Sequence, residues 1–236
     1  MMTEITYEDA HRARLIHSAS EEHVLFIARV SSNQENKDPK LLRWLIEKNH
    51  WSPFQMVSAC VEINTTRDIG RQALRHMGMI GFQEFSGRYA EYGECADMRQ
   101  VRFKGTNNRQ GSVQPESGSA EETVKLHLES EIRGHAANAF GLYQAMLNSG
   151  VAPECARAVL PEGLTPTKMY MHGSLRSWIH YLRERMLINQ DAGLPWAQLE
   201  HYWIARQIYE IIGNAFPVTW TAIRDMGYID EPRWHL

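Results

Sequence analysis

Residues Arg71–Tyr89 read RQALRHMGMIGFQEFSGRY, and two halves of different character meet inside this stretch. The first half continues a segment that Thr66 can cap and Gly78 can stop, so the spacing predicts a helix over 66–77. On it Arg67, Arg71 and Arg75 recur every four residues and share one face. Like charges at that spacing repel by roughly a few tenths of a kcal/mol per pair, so such a row ordinarily meets anions: acidic side chains of its own protein, or a bound phosphate. The second half, Gln83, Glu84, Phe85, Ser86, Gly87, Arg88 and Tyr89, sets amide, carboxylate, hydroxyl, guanidinium and aromatic groups around a glycine that permits close backbone approach. By composition this is a recognition loop, and its inventory suits a nucleotide, whose base offers a polar edge and a flat face and whose phosphate matches arginine bidentately. His76, between the halves, reads on its own as a core histidine or a helix-end cap.

Upstream, Val57, Ala59, Val61 and Ile63 alternate with Ser58, Cys60, Glu62 and Asn64, the period of a strand with one face in the core. Ala13–Ser20 reads as a second strand, and helical spacing fits 21–30 and 40–48, joined by the polar loop SSNQENKDP over 31–39. Downstream, 105–122 is rich in Gly, Ser, Asn and Glu and reads as a long, mobile surface loop. Helices fit 120–149, 153–160, 174–187, 196–212 and 219–226, with a short strand at 169–172. Helices outnumber strands and come in groups, without regular alternation, so the expected class is α+β: one domain over 1–236, a small, mainly antiparallel sheet packed with two groups of helices.

With 236 residues, 43% of them apolar and 22% charged, the chain has the balance of a soluble globular protein. A net charge of −3 argues against binding long polyanions, so a phosphate site must be built by concentrating arginine locally. Cys60, Cys95 and Cys155 are odd in number and widely spaced, which fits neither a disulfide framework nor a CxxC motif. No apolar run reaches the length of a membrane span, and a cytoplasmic location is expected. The eleven histidines form no HxxxH or HExxH pair, so no metal is expected. There is no GxGxxG or Walker loop, and Ser86 sits in no nucleophile elbow.

Four motifs in order make the reading specific. Arg75-His76-Met77, eight residues, then Ser86-Gly87-Arg88-Tyr89 resembles the signature of flavin-dependent thymidylate synthases, RHR followed after seven or eight residues by Ser. His50-Trp51-Ser52-Pro53-Phe54 resembles that family's H-x-[ST]-P-F, Arg157-Ala158-Val159-Leu160-Pro161 its R-x-V-L-P, and Arg176-Ser177 to Arg185 its R-S, seven residues, R. Two positions depart: Met77 stands where the family usually has the second Arg of RHR, and Gln55 where it usually has Glu, each removing a charge.

The resemblance implies the family's fold and a homotetramer with active sites at subunit interfaces, each taking FAD, dUMP and 5,10-methylenetetrahydrofolate, with NADPH as reductant and dTMP as product. Carried over position by position, it implies dUMP contacts from Gln72, Arg75, Glu84, Phe85, Ser86, Gly87, Arg88, Arg157 and Arg185. It implies FAD contacts from His50, Ser52, Arg75, His76, Met77, Glu84, Ser174, Leu175, Arg176 and His180. Arg185 takes the catalytic place, a fixed cation beside the uracil that favours ionisation at N3. Arg176 and His180 are one turn apart, whereas Arg185 falls half a turn out of phase, beside Trp178 and Tyr181, unless the helix bends or ends first.

Three rival readings remain open on sequence. One is a related flavoenzyme that methylates or hydroxymethylates UMP or dCMP. Another is a single-stranded nucleic-acid binder using the arginine row with Trp51, Phe82, Phe85 and Tyr89 as a stacking platform. The third is an inactive family member kept as a scaffold or nucleotide sensor.

Overall fold

Val57, Ala59, Val61 and Ile63 are all buried, as their alternation requires. In the computed structural model, which describes residues 10–31, 38, 40–93, 95, 99–105, 111–189 and 193–235, most of this segment forms strand β2 (Ser58–Thr66). The other strands are β1 (Arg12–Ser18), β3 (Gly81–Glu84), β4 (Phe103–Lys104), β5 (Ser112–Val113), β6 (Pro166–Ser174), β7 (Ile188–Asn189) and β8 (Leu194–Pro195). The helices are α1 (Glu22–Ala28), α2 (Lys40–Glu47), α3 (Arg67–Ala73), α4 (Ala120–Asn148), α5 (Pro153–Ala156), α6 (Leu175–Arg185), α7 (Leu199–Ala215) and α8 (Pro217–Asp225). A four-stranded sheet runs in the order β1-β2-β6-β3, and β4 with β5 and β7 with β8 form antiparallel pairs, so the class is α+β. Among the described residues no helix is long and apolar enough to cross a membrane.

The chain forms two compact units. One comprises the described residues of Met1–Arg12, Asn64–Ala73 and Glu84–Met169; the other, those of Ala13–Ile63, Leu74–Gln83 and Tyr170–Leu236.

In the second unit, Ser174 begins α6 as its N-cap, its hydroxyl accepting from the Ser177 amide at 3.1 Å. The helix buries Leu175, Trp178, Ile179, Tyr181 and Leu182, and the Trp178 indole N–H donates to the Ala59 carbonyl at 3.1 Å. Truncating Trp178 to alanine would cost about 3–5 kcal/mol. Helix α7 packs on α6 and α8, and α8 on α2. Glu21 holds the start of α8 by accepting from the Val218 and Thr219 amides at 2.8 and 2.6 Å, a carboxylate placed at the positive end of a helix. After α2 the backbone turns at Asn49, whose φ of 58° asparagine tolerates better than most residues.

In the first unit, Tyr92, Tyr143 and Ala156 form a buried cluster against Phe85, Phe140 and Leu160. Helix α4 starts at Ser119, whose hydroxyl accepts from the Glu122 amide at 3.1 Å, and Glu122 in return accepts from the Gly118 amide.

Three expectations need correction. The helix expected over 66–77 ends at Ala73, because from there the chain turns: the Met77 amide bonds to the Arg75 carbonyl and the Met79 amide to that of His76. Arg75 is therefore not the third member of a helical row. The segment read as a loop from Gln83 onward begins inside β3, where the Ile80 amide donates to the His172 carbonyl just before the strand. The expected loop over 105–122 contains β5 and the start of α4; its residues 106–110 lie outside the described residues, as do 32–37 and 39 of the expected loop 31–39.

Candidate active site

The turn from Arg75 to Met79 forms one wall of a cavity of about 360 Å³ in the second unit. The facing wall is α6, through Arg176, Ser177, His180, Tyr181 and Glu184, and Gln55 completes the lining. Ser177 fixes the turn by donating its hydroxyl to the Gly78 carbonyl. Gly173 leaves the Met79 sulfur its place, since a Cβ there would collide with it. Arg75 and Arg176 are exposed, line this cavity and have no carboxylate partner among the described residues. Free guanidinium groups in a concave site suit a phosphate-bearing ligand.

His76 is the most constrained group in this cavity. Its side chain is 10% exposed, and its Nε2 accepts from the Arg185 Nε–H at 2.8 Å. Its Nδ1 lies 3.6 Å from a carboxylate oxygen of Glu184. Tyr181 presents a ring edge with centroids 4.7 Å apart. Burial, reinforced by the Arg185 charge, pushes the His76 pKa down to about 4. His180 is also pushed down, by burial and then by Arg176 and Arg183, and its ring packs on Trp51 at 5.0 Å. The cavity's imidazoles thus disfavour a proton, and its positive charge rests on arginine.

Of the residues assigned to the flavin, Arg75, His76, Met77, Arg176 and His180 line this one cavity. Met77 is 90% exposed, so the residue that departs from the family pattern faces open space; Gln55, the other departure, lines the same cavity. Ser174 and Leu175 are buried at the start of α6 and shape the helix without lining the cavity. His50 and Ser52 are exposed outside the lining, His50 against the Trp44 ring at 5.1 Å. Arg185, the last residue of α6, shares a face with Tyr181 as its phase requires, and both meet His76.

The first unit holds a second cavity, of about 450 Å³, lined by Arg67, Arg71, Tyr92, Glu154, Arg157, Ala158, Leu160, Glu162 and Thr165. Here the arginine row meets carboxylates of its own unit. Arg71 bonds Glu84 at 3.3 Å and Glu162 at 3.2 Å, and Arg67 lies 3.7 Å from Glu84 and donates to the Tyr92 hydroxyl at 2.9 Å. Glu84 also accepts from the Thr167 hydroxyl at 2.9 Å. Arg157 lines this cavity without a carboxylate partner among the described residues.

Of the other residues assigned to the nucleotide, Gln72, Phe85, Ser86, Gly87 and Arg88 lie in the same unit, whereas Arg75 and Arg185 belong to the second. Gln72 is half-buried on α3, and Phe85 packs on Tyr92 at 5.0 Å. The Ser86 hydroxyl accepts from the Arg88 amide, and Arg88 lies 3.4 Å from Glu154. Gly87 is required where it stands, because a Cβ would come within 2.5 Å of the Tyr92 ring. Sequence reasoning missed Tyr92, Glu154 and Glu162 in this cavity and Glu184 in the other, because their partners are far away in sequence and no local pattern marks them. Of the rings proposed for a stacking platform, Trp51 is 7% exposed, Phe82 is half-buried, Phe85 packs on Tyr92 and Tyr89 is 85% exposed.

Residues 12–218 match the family described as thymidylate synthase complementing protein. A flavin-dependent thymidylate synthase of Synechocystis sp. is 40% identical over 205 residues, 85% of this chain and 87% of its relative. A probable flavin-dependent thymidylate synthase of Paramecium bursaria Chlorella virus 1 is 36% identical over 209 residues, 85% of this chain and 88% of that one. Among solved structures, the UMP/dUMP methylase PolB from Streptomyces cacaoi bound with 5-Br UMP is similar, with a TM-score of 0.76 and 28% identity over 94% of this chain and 96% of that one.

Proposed function

Since the chain belongs to the thymidylate synthase complementing protein family, we propose that it is a flavin-dependent thymidylate synthase that methylates dUMP to dTMP, with FAD as cofactor, 5,10-methylenetetrahydrofolate as one-carbon donor and NADPH as reductant. The observation that carries this reading is the single cavity in which Arg75, His76, Met77, Arg176 and His180 converge, five residues assigned to the flavin from two separate motifs. Two unpaired guanidinium groups beside imidazoles pushed toward neutrality fit the pyrophosphate of FAD. When bound, FAD reduced by NADPH supplies the hydride that reaches C6 of the pyrimidine.

The chain's own residues bind and orient. Arg75 and Arg176 neutralise the cofactor's phosphates, and His180 packs beside them. Gln72, Glu84 and Phe85–Arg88 bind the nucleotide of their own subunit, and Arg157, which lines the second cavity, takes the phosphate of a neighbouring subunit's nucleotide. Arg185, held by His76, is the fixed cation that favours negative charge on the uracil as its ring is activated at C5. The family's homotetramer, with Arg157 reaching a neighbouring subunit's nucleotide, and action as one functional domain in the cytoplasm complete the reading.

A second reading is favoured by one finding: a protein 28% identical over 94% of this chain is a UMP/dUMP methylase bound to 5-Br UMP. On that reading the chain also accepts UMP. The test is the visible spectrum of the purified protein with FAD, followed under NADPH with each nucleotide in turn. Flavin absorbance that bleaches with NADPH and recovers when dUMP and 5,10-methylenetetrahydrofolate are added supports the proposal. A protein that takes up no flavin refutes it.

A further inference from the structure

Two buried groups to which no role has been assigned, one of them in the wall of the cavity, meet its most constrained residue. His201 on α7 is fully buried, and its Nε2 lies 3.0 Å from the hydroxyl of Tyr181 on α6, itself 1% exposed. The Tyr181 ring meets His76 edge-on at 4.7 Å and 78°, and the His201 ring lies 6.2 Å from His76 at 88°.

A guanidinium can only donate, so the 2.8 Å contact with Arg185 requires a lone pair on Nε2 of His76. The proton of the neutral ring is then on Nδ1, on the side of Glu184. A protonated ring, or the other tautomer, would point N–H at N–H and drive Arg185 away. The groups around His76 pull in opposite senses. Arg185 disfavours a proton, as does burial against Tyr181 and His201, while Glu184 on the same helix favours one; Arg75, Arg176 and His180 line the rest of the cavity.

We infer that Tyr181 and His201 are positioning residues, a buried hydrogen-bonded pair that sets the plane and tautomer of His76 so that its Nε2 faces Arg185. Both partners are neutral. Burial pushes Tyr181 far up and, with the charge of Arg185, pushes His201 well down, so the pair carries no charge of its own into the wall of the cavity. The link from Arg185 to the nucleotide rests on the proposed function; the arrangement behind His76 does not.

The test uses the full-length, FAD-loaded protein and the variants Tyr181→Phe, His201→Phe and His201→Gln, with ¹⁵N-histidine NMR for the tautomer of His76 and steady-state kinetics with dUMP. The wild type should show His76 with its proton on Nδ1. Tyr181→Phe and His201→Phe should give mixed tautomers and a kcat lower by about tenfold or more, with KM within about threefold. His201→Gln, whose amide can still bond the Tyr181 hydroxyl, should recover most of both. A wild-type His76 protonated on Nε2, or a folded His201→Phe with unchanged tautomer and kcat, overturns the inference, as does a His201→Gln no better than His201→Phe. The tautomer measurement needs no turnover, so it stands even where dUMP proves not to be the substrate.

Discussion

Arg185 donates its Nε–H to Nε2 of His76 at 2.8 Å, joining the end of α6 to the turn that carries the arginine-histidine motif. The contact exists only while His76 is neutral, and its pKa of about 4 keeps it so across the physiological range.

The first prediction is a pH dependence of stability. His76 titrates near 6.5 when unfolded and near 4 when folded, so between these values the unfolded chain binds a proton that the folded chain refuses. The contribution is fully present above the unfolded value, is lost as pH falls, and is gone below about 4; it amounts to at most about 3 kcal/mol. The urea midpoint of the wild type should therefore drop more between about pH 7 and about pH 4.5 than that of His76→Phe. Equal drops would contradict the assignment.

Glu84 accepts from Thr167 while facing both Arg67 and Arg71. Glu84→Gln keeps an acceptor for Thr167 but leaves Arg67, 19% exposed, without its carboxylate. A loss of about 1–2 kcal/mol in urea unfolding is expected. An unchanged midpoint would make the pairs energetically silent.

Met77 is 90% exposed at the mouth of the cavity. Met77→Arg should leave stability within about 0.5 kcal/mol and, by adding a third cation to Arg75 and Arg176, tighten FAD several-fold in a fluorescence titration. Weaker FAD binding would show that this chain is adapted to the missing charge.

Gly87→Ala should be costly, because its Cβ meets a Tyr92 ring pinned by Arg67 at 2.9 Å, while the Tyr92 amide is held by the Tyr143 hydroxyl at 3.1 Å. A destabilisation of about 1–3 kcal/mol and a raised KM for the nucleotide are expected. A variant with native midpoint and native KM would show that the ring can move aside.

What the sequence discloses depends on how local each feature's cause is. Strand β2 was legible because burial of Val57, Ala59, Val61 and Ile63 imposes a period of two, and α6 because its buried face recurs every three or four residues. The end of α3 was not. It is set by the turn around His76, held through Ser177 and Arg185, about a hundred residues away. Strands β4, β5, β7 and β8 are two residues each, too short for any period. Arg75, His76 and Arg176, which the motif resemblance assigns together to the flavin, line one cavity, whereas the Tyr181–His201 pair matches no motif position and becomes visible only when α6 and α7 pack. Arg67 and Arg71, whose row suits either a phosphate or acidic partners, have Glu84 and Glu162 as neighbours.

The proposed reaction is flavin-dependent methylation of dUMP in which the Arg185 held by His76 acts on the pyrimidine. Its most direct test is product identification by mass spectrometry after incubating wild type and Arg185→Ala, each with FAD, NADPH and 5,10-methylenetetrahydrofolate, against dUMP, UMP and dCMP in parallel. The wild type should give dTMP from dUMP, and an Arg185→Ala protein that still binds FAD should do so at a rate lower by about a hundredfold or more. Wild-type protein that methylates none of the three nucleotides, or an Arg185→Ala variant that makes dTMP at the wild-type rate, would contradict it.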